Sequence, residues 1–253
     1  MIYSDLHMHT SFCDGKDSPE DMVVCAIEKG LKRVGVCVHS YTDMDGTYCI
    51  KFENIKPFIA EMARLKDKYA DKIEVLCGVE QDYFSNYPIE EFDYAIGSLH
   101  YFFVDGKFYH VDHSRDYFEN VVKTVFNGDY YCAVENYYST LATVMEKTKA
   151  DIVGHFDLII KFNEGNRYFD QNNPRYVKAW QTAADRILKS GKPFEINTGA
   201  ISRGYKTTPY PSLDVIKYLK ARGAKFIMSS DSHSKENIAF QYREWFNALS
   251  DII

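Results

Sequence analysis

Ser4 to Met22 reads SDLHMHTSFCDGKDSPEDM, and its first six residues decide how the chain is to be read. His7 and His9 stand one residue apart directly after a short apolar start. Strand side chains alternate between two faces, so His7 and His9 share a side with Asp5 while Leu6 and Met8 take the other. Neutral imidazole is the commonest metal ligand, and two on one face can hold a single ion. An isolated pair of this kind is more often a surface feature, so the rest of the chain has to discriminate.

Just downstream, Ser18-Pro19-Glu20-Asp21 reads as a helix start, with a Ser cap, Pro at the first position and acids in the first turn; Gly30 closes that helix. Apolar runs then alternate with amphipathic stretches. The predicted strands are Ile2 to His7, Arg33 to His39, Ile73 to Glu80, Tyr94 to His100, Asp151 to His155, Pro193 to Asn197 and Phe226 to His233. Helical spacing covers Asn54 to Tyr69, Arg175 to Leu188 (closed by Gly191) and a helix capped by Ser212 that stops at Gly223. His113 to Lys149 reads as helical throughout, broken near Asn127-Gly128-Asp129. Such alternation argues for parallel strands with crossover helices, an α/β barrel or a doubly wound sheet. No repeat, low-complexity tract or linker divides residues 1–253, so one domain is expected.

Bulk properties narrow the classes. The 253 residues are 45% hydrophobic and 26% charged, an ordinary globular composition. A net charge of −6 offers no general basic footprint, so small molecules rather than nucleic acid are the expected partners. Twenty Tyr and 17 Phe suit an aromatic-walled pocket, although packing is their commoner use. Cys13, Cys25, Cys37, Cys49, Cys77 and Cys132 form no C-x-x-C pair, as expected of reduced thiols in a cytoplasmic protein. No run approaches a membrane span, and the start does not resemble an export signal.

The last residues of the predicted strands carry the functional signal. They are His7 and His9, His39, Glu80, His100, His155, Glu195 with Asn197, and Asp231 with His233. Six of the eight histidines hold such positions, and only His110 and His113 fall outside the pattern. Barrels build their active sites where the carboxyl ends of strands converge on one rim. Six imidazoles gathered there would repel one another on protonation unless cations were bound among them. Gly97 and Gly154, close before His100 and His155, let neighbouring backbones approach. The ligand set is imidazole and carboxylate without an obvious thiolate, which suits zinc, manganese or iron. Cys13 is expected to be a small buried filler beside this site.

These residues resemble the polymerase and histidinol phosphatase superfamily, the PHP domains. The resemblance rests on Asp5-Leu-His7-Met-His9-Thr10, Val36-Cys-Val-His39-Ser40, Gly78-Val-Glu80, Gly97-Ser-Leu-His100, Gly154-His155-Phe-Asp157 and Ser230-Asp231-Ser-His233, which run in order along nearly the whole chain. Phe12-Cys-Asp14-Gly15, GHFDLIIKFN from Gly154 and EINTGAISRGYKTTPYPS from Glu195 are most similar to the histidinol-phosphatase branch. The resemblance implies a distorted seven-stranded (β/α)7 barrel, TIM-barrel-like, forming one PHP-type metal-dependent phosphatase domain over residues 1–253. It also implies two to three divalent ions. His7, His9, Glu80 and Asp231 would hold one; His39 and His233 with an early-loop residue a second; Glu80, His100 and His155 a third. The early loop lacks the histidine found in one branch of the family. Asp14 is the expected replacement and Asp17 the second choice.

The implied reaction is hydrolysis of a phosphate monoester, L-histidinol phosphate, as in histidine biosynthesis. Asp231 and His233 would manage the leaving-group proton, and Arg203 would grip phosphate oxygens through its planar fork. Arg167 and Lys161 are further candidates for binding phosphate. Glu195, Asp82, Tyr83, Phe102 and Tyr205 are candidates for the ammonium and imidazole of the substrate. The competing readings are another PHP phosphoesterase acting on nucleotides, phosphotyrosine or nucleic acid, and a metal-binding module without catalysis.

Overall fold

The computed structural model describes residues 4–252. Its strands are β1 (Ser4–Asp5), β2 (Arg33–His39), β3 (Glu74–Asp82), β4 (Tyr94–Ser98), β5 (Tyr101–Val104), β6 (Lys107–His110), β7 (Ile152–Val153), β8 (Phe194–Asn197) and β9 (Phe226–Ser229). Seven of them form a parallel sheet in the order β1-β2-β3-β4-β7-β8-β9. Just beyond the two edge strands the sheet meets itself, where Met8 and Ser232 form a parallel bridge and His9 N donates to Ser232 O at 2.8 Å. The result is a nearly closed seven-stranded α/β barrel, as expected.

Each barrel strand falls inside or beside its predicted run, and several are shorter. Ladder pairing ends at Ser98, Val153 and Ser229, before the histidines that follow. The predicted first strand loses His7 to the mouth; Ile2 and Tyr3 lie outside the described residues.

Between the strands run α1 (Pro19–Glu28), α2 (Ile55–Lys68), α3 (Arg115–Val125), α4 (Tyr130–Leu141), α5 (Val144–Thr148), α6 (Pro174–Ile187), α7 (Gly199–Ser202), α8 (Leu213–Lys220) and α9 (Tyr242–Leu249). The Ser18 hydroxyl accepts from Asp21 N, and the Asp21 carboxylate accepts from Ser18 N, a full capping box. Ser212 makes no such cap: its side chain is not used, and its N–H donates instead to Asp157 Oδ2 at 2.7 Å. The predicted break at 127–129 separates α3 from α4, with Asn127 and Gly128 both at positive φ. A second break follows α4 at Ala142-Thr143.

The barrel floor is filled by Tyr94, whose ring crosses the close-set backbones of Gly35 and Gly78. A Cβ at either glycine would lie within 2.4 Å of a Tyr94 atom, and the Tyr94 hydroxyl donates to Leu6 O at 2.5 Å. Gly154 likewise leaves room for the Ser98 hydroxyl, the close approach its position predicted. Val36, Val38, Phe58 and Met62 are fully buried between sheet and helices on one flank, and Val153, Phe156 and Phe194 on another. Each such side chain contributes about 1.5–3 kcal/mol of burial. The β5–β6 hairpin and α9 were not anticipated. All six cysteines are free, and among the described residues no helix is long and apolar enough to cross a membrane.

Candidate metal centre

Strand pleating aims the residues that leave the ladders at one mouth of the barrel, and Glu80 lies at their centre. Its carboxylate is fully buried at the end of β3. Oε2 lies 3.2 Å from His7 Nε2, 3.3 Å from His9 Nε2 and 2.9 Å from His39 Nδ1. Oε1 lies 2.9 Å from His155 Nε2 and 3.3 Å from His100 Nε2. Burial would raise the Glu80 pKa, but the surrounding imidazoles, His7 foremost and then His39 and His100, outweigh it and hold the group well below the usual range.

The donor spacing fits shared cations. His7 Nε2 and His9 Nε2 face each other at 3.1 Å, and Asp231 Oδ1 lies 3.7 and 3.5 Å from them. Four donors placed tetrahedrally about zinc would lie about 3.3 Å apart, given zinc–nitrogen bonds of about 2.05 Å. Glu80 Oε2 is buried without a hydrogen-bond partner, although three imidazole nitrogens lie within 3.3 Å. Such crowding without hydrogen bonds suits metal ligation. A second set joins His9, Asp14, His39 and His233: Asp14 Oδ1 is 3.5 Å from His39 Nε2, and Oδ2 is 3.2 Å from His233 Nε2. A third joins His39, Glu80 and His100. His39 therefore faces Glu80 with one nitrogen and Asp14 with the other, straddling two of the sets. Asp17 is not among them; its carboxylate accepts from Lys235 N at 2.9 Å.

Cys37 Sγ also approaches the His7 and His9 nitrogens. Its S–H donates to Met8 O at 3.4 Å, and burial pushes its pKa well above the ordinary value, so it stays a thiol. Cys13 is half-buried, with Sγ 3.6 Å from His9 Nδ1 and its pKa pushed up to about 12 by burial and the Asp14 charge. It lies beside the site as expected, but half-buried rather than buried.

Behind the imidazoles stand carboxylates that orient them. Glu195 Oε1 accepts from His7 Nδ1 at 2.7 Å, and Asp82 Oδ2 accepts from His100 Nδ1 at 3.1 Å, which turns each Nε2 toward the mouth. Glu195 and Asp82 are therefore not the substrate-binding groups anticipated: both are buried, and neither lines the cavity. Asp5 shares the histidine side but lies one layer deeper, accepting from Ser230 N, Ser230 Oγ and Ala239 N.

Arg203, in the loop after β8, donates from Nη2 to Asp231 Oδ2 at 3.0 Å and from Nη1 to Asp231 O at 2.7 Å; Nη1 also lies 3.1 Å from His233 Nδ1. Asp231 itself adopts a left-handed φ of +47°, and its two oxygens face different partners, Oδ2 the Arg203 guanidinium and Oδ1 the His7 and His9 imidazoles. Burial works against its ionisation, but the Arg203 charge prevails and holds the pKa well below the usual range.

A cavity of about 310 Å³ opens over this cluster. Lys161, Arg203 and Tyr205 line it. Arg167 does not; it is exposed, with its guanidinium over the Tyr168 ring, because the loop after β7 turns away from the mouth before reaching it. Tyr83 bonds Thr143 and Phe102 packs into the core, so neither reaches the rim. Tyr48, His110, Asp112 and His113 line the cavity unannounced. The run His110-Val-Asp112-His113 was a legible cluster, but the unpredicted hairpin was needed to bring it to the mouth.

A fold of this kind with clustered imidazoles and carboxylates at its mouth defines a metal-site barrel, and the chain belongs to the PHP domain family, whose model matches residues 5–199. A protein of Schizosaccharomyces pombe designated a probable histidinol-phosphatase is 25% identical over 257 residues, spanning 93% of this chain and 82% of its own. A structure from Listeria monocytogenes assigned as a histidinol phosphatase superposes with a TM-score of 0.81 at 22% identity, covering 96% of this chain and 99% of that one. The histidinol phosphate phosphatase of Lactococcus lactis, solved with zinc, L-histidinol and phosphate, gives a TM-score of 0.72 at 18% identity over 99% of this chain and 93% of its own.

Proposed function

We propose that this chain is a histidinol-phosphatase, hydrolysing L-histidinol phosphate to L-histidinol and phosphate. The observation that carries the reading is the Glu80 carboxylate, buried with five imidazoles within 3.3 Å of its two oxygens, three of which, His39, His100 and His155, line the cavity together with Arg203. The names of the relatives and the histidinol and phosphate bound in the Lactococcus structure support the substrate.

His7, His9, Glu80 and Asp231 would hold one divalent ion, His39, Asp14 and His233 a second, and Glu80, His100 and His155 a third, with zinc, manganese or iron as the candidates. Bound there, such ions acidify water and balance charge on phosphoryl oxygens. Glu195 and Asp82 keep the His7 and His100 donor nitrogens aimed inward. Arg203 keeps N–H groups free of Asp231 for the remaining phosphate oxygens. In the hydrolysis a water oxygen bonds to phosphorus as the ester P–O bond breaks. The water's proton ends on the departing alkoxide, passed through a water held by Asp231, because His233 would spend Nε2 on the second ion and has Nδ1 facing the Arg203 N–H. The whole chain, 1–253, acts as one phosphatase domain, supported by a barrel whose first and last strands meet; free cysteines suit a cytoplasmic setting.

Purified protein supplied with manganese or zinc is expected to release phosphate from L-histidinol phosphate far faster than from AMP, sugar phosphates or phosphotyrosine. Equal or better rates on those esters would replace the substrate, and no release from any ester by fully metal-loaded protein would leave a binding module.

A further inference from the structure

The β5–β6 hairpin forms a sheet of its own, so each of its strands keeps one edge without a strand partner. Val111 N donates to His100 O at 2.8 Å, which sets the inner hydrogen bonds on the pairs 102/109 and 104/107 and turns the N–H and C=O of Phe103 and Phe108 outward. Free edges are normally blunted by charge or proline. These strands read YFFV and KFYH, and Lys107 is the one lysine or acid in them.

Apolar surface continues from that edge. The Phe103 and Phe108 rings lie 4.7 Å apart between centroids, and both meet Phe84, at 5.8 and 5.0 Å. A groove of about 440 Å³ joins Phe84 and Phe108 to Tyr41, Phe52 and Tyr87. Phe52 is 62% exposed, Phe103 46% and Phe108 38%, three of the five exposed large apolar side chains among the described residues. With about 200 Å² per aromatic side chain, these three leave roughly 300 Å² open, the size of patch that marks an interaction site. One side of a standard interface takes about 800 Å², so the three rings can form its core, with the half-buried Tyr41 and Tyr87 beside them.

We infer that this face joins two copies of the chain in a twofold dimer, hairpin against hairpin, with Phe52, Phe103 and Phe108 at its centre. Charge selects a second copy as the occupant. Asp43 is the one charged residue lining the groove, and its carboxylate accepts only from the Tyr41 hydroxyl. Lys107 stands at the hairpin tip beside Phe108, and neither it nor Asp43 has an ion-pair partner among the described residues. The face thus carries an anion and a cation of its own, and a twofold axis sets the lysine of each copy against the aspartate of the other. A free antiparallel edge is self-complementary in the same way. Such pairing uses the face once in each copy and therefore stops at two. The inference is independent of the phosphatase reading, but it touches the cavity. Strand alternation puts Tyr101 and His110 on the same side of the hairpin as Phe103 and Phe108, and both meet Asp45 Oδ2, at 2.9 and 3.0 Å. Pairing would brace the wall that His110 gives the cavity.

Sedimentation velocity of the metal-loaded full chain tests this. Wild type should sediment at twice the chain mass. Phe108→Glu, which sets a charge at the centre of the face, should weaken the dimer by about 30-fold or more, the scale of one anchor residue, while circular dichroism stays native. Asp43→Lys and Lys107→Glu alter only exposed groups and decide the matter if Phe108→Glu does not fold. Each alone should weaken the dimer, and an equal mixture of the two should pair again, because opposite charges then meet at both contacts. A single-chain mass for wild type at every concentration overturns the proposal and leaves the face to a different protein. A dimer that none of these substitutions weakens places the contact elsewhere and overturns it too. Species larger than two, or a mixture that stays apart, overturn the twofold arrangement.

Discussion

The Glu195 carboxylate accepts from His7 Nδ1 at 2.7 Å across 188 residues of sequence, and it also accepts from His155 N at 3.1 Å. One buried anion thus fixes the ring of one cluster histidine and the backbone of another. Glu195→Gln keeps the shape and removes the charge. Metal affinity should fall by about 10–100-fold, the usual cost of losing such a partner, as read by competition with a chelator. An unchanged affinity would mean that the Glu195 charge does not tune the site.

His9 presents Nε2 to His7, Glu80 and Asp231 together. His9→Ala should drop phosphate release below about 1% of wild type while circular dichroism stays native, because the ring supports the site rather than the core. Retained turnover would exclude the tetrahedral set around His7 and His9 from catalysis.

Arg203 joins Asp231 by two hydrogen bonds, one to a side-chain oxygen and one to the backbone. Arg203→Met should reduce kcat/KM by roughly 10²–10³-fold, the scale of one preorganised electrostatic group. Arg203→Lys should recover only part, since a lysine lacks the planar fork. Full recovery by lysine would reduce the role of Arg203 to its charge.

The imidazoles give the metal-free and metal-loaded proteins opposite responses to pH. Burial lowers the pKa of His7, His39 and His100, but for His7 Glu195 and then Glu80, and for the other two chiefly Glu80, more than compensate and raise it above 6.5. Groups raised on folding stabilise fully below their unfolded pKa, and that stability is lost as pH rises through the folded value. His9 runs the other way, because burial and then His39 and His233 push it down. With three groups against one, the chelated protein should show a falling Tm from pH 6.5 to 9. Ligation requires deprotonated imidazole, so excess zinc should make Tm rise over that interval. The same sign in both states would contradict the assignment of these nitrogens as ligands.

Gly78→Ala tests the barrel floor. Its Cβ would lie 2.3 Å from Tyr94 Cζ, and the ring is pinned by its bond to Leu6 O. A loss of about 1–3 kcal/mol is expected, typical of overpacking, seen as a lower denaturant midpoint at unchanged slope. The double variant Gly78→Ala with Tyr94→Leu should recover part of it.

Much of this molecule was legible one residue at a time. Short apolar runs alternating with amphipathic stretches marked the seven barrel strands. The histidines and acids at their ends pointed to the mouth, because strand geometry ties position to face and level. That reasoning could say that His7, His39 and His100 converge, but not which nitrogen each presents. The Nε2 of His7 is selected by Glu195 and that of His100 by Asp82, and those partners meet the rings only once distant strands are adjacent. It also could not follow chain between elements. Arg167 and Arg203 both follow barrel strands, yet one loop carries its arginine out to Tyr168 while the other delivers it to Asp231. Local patterns specify what a segment can become; the path of a loop, and hence which charge reaches the cavity, is decided by packing against residues far away in sequence.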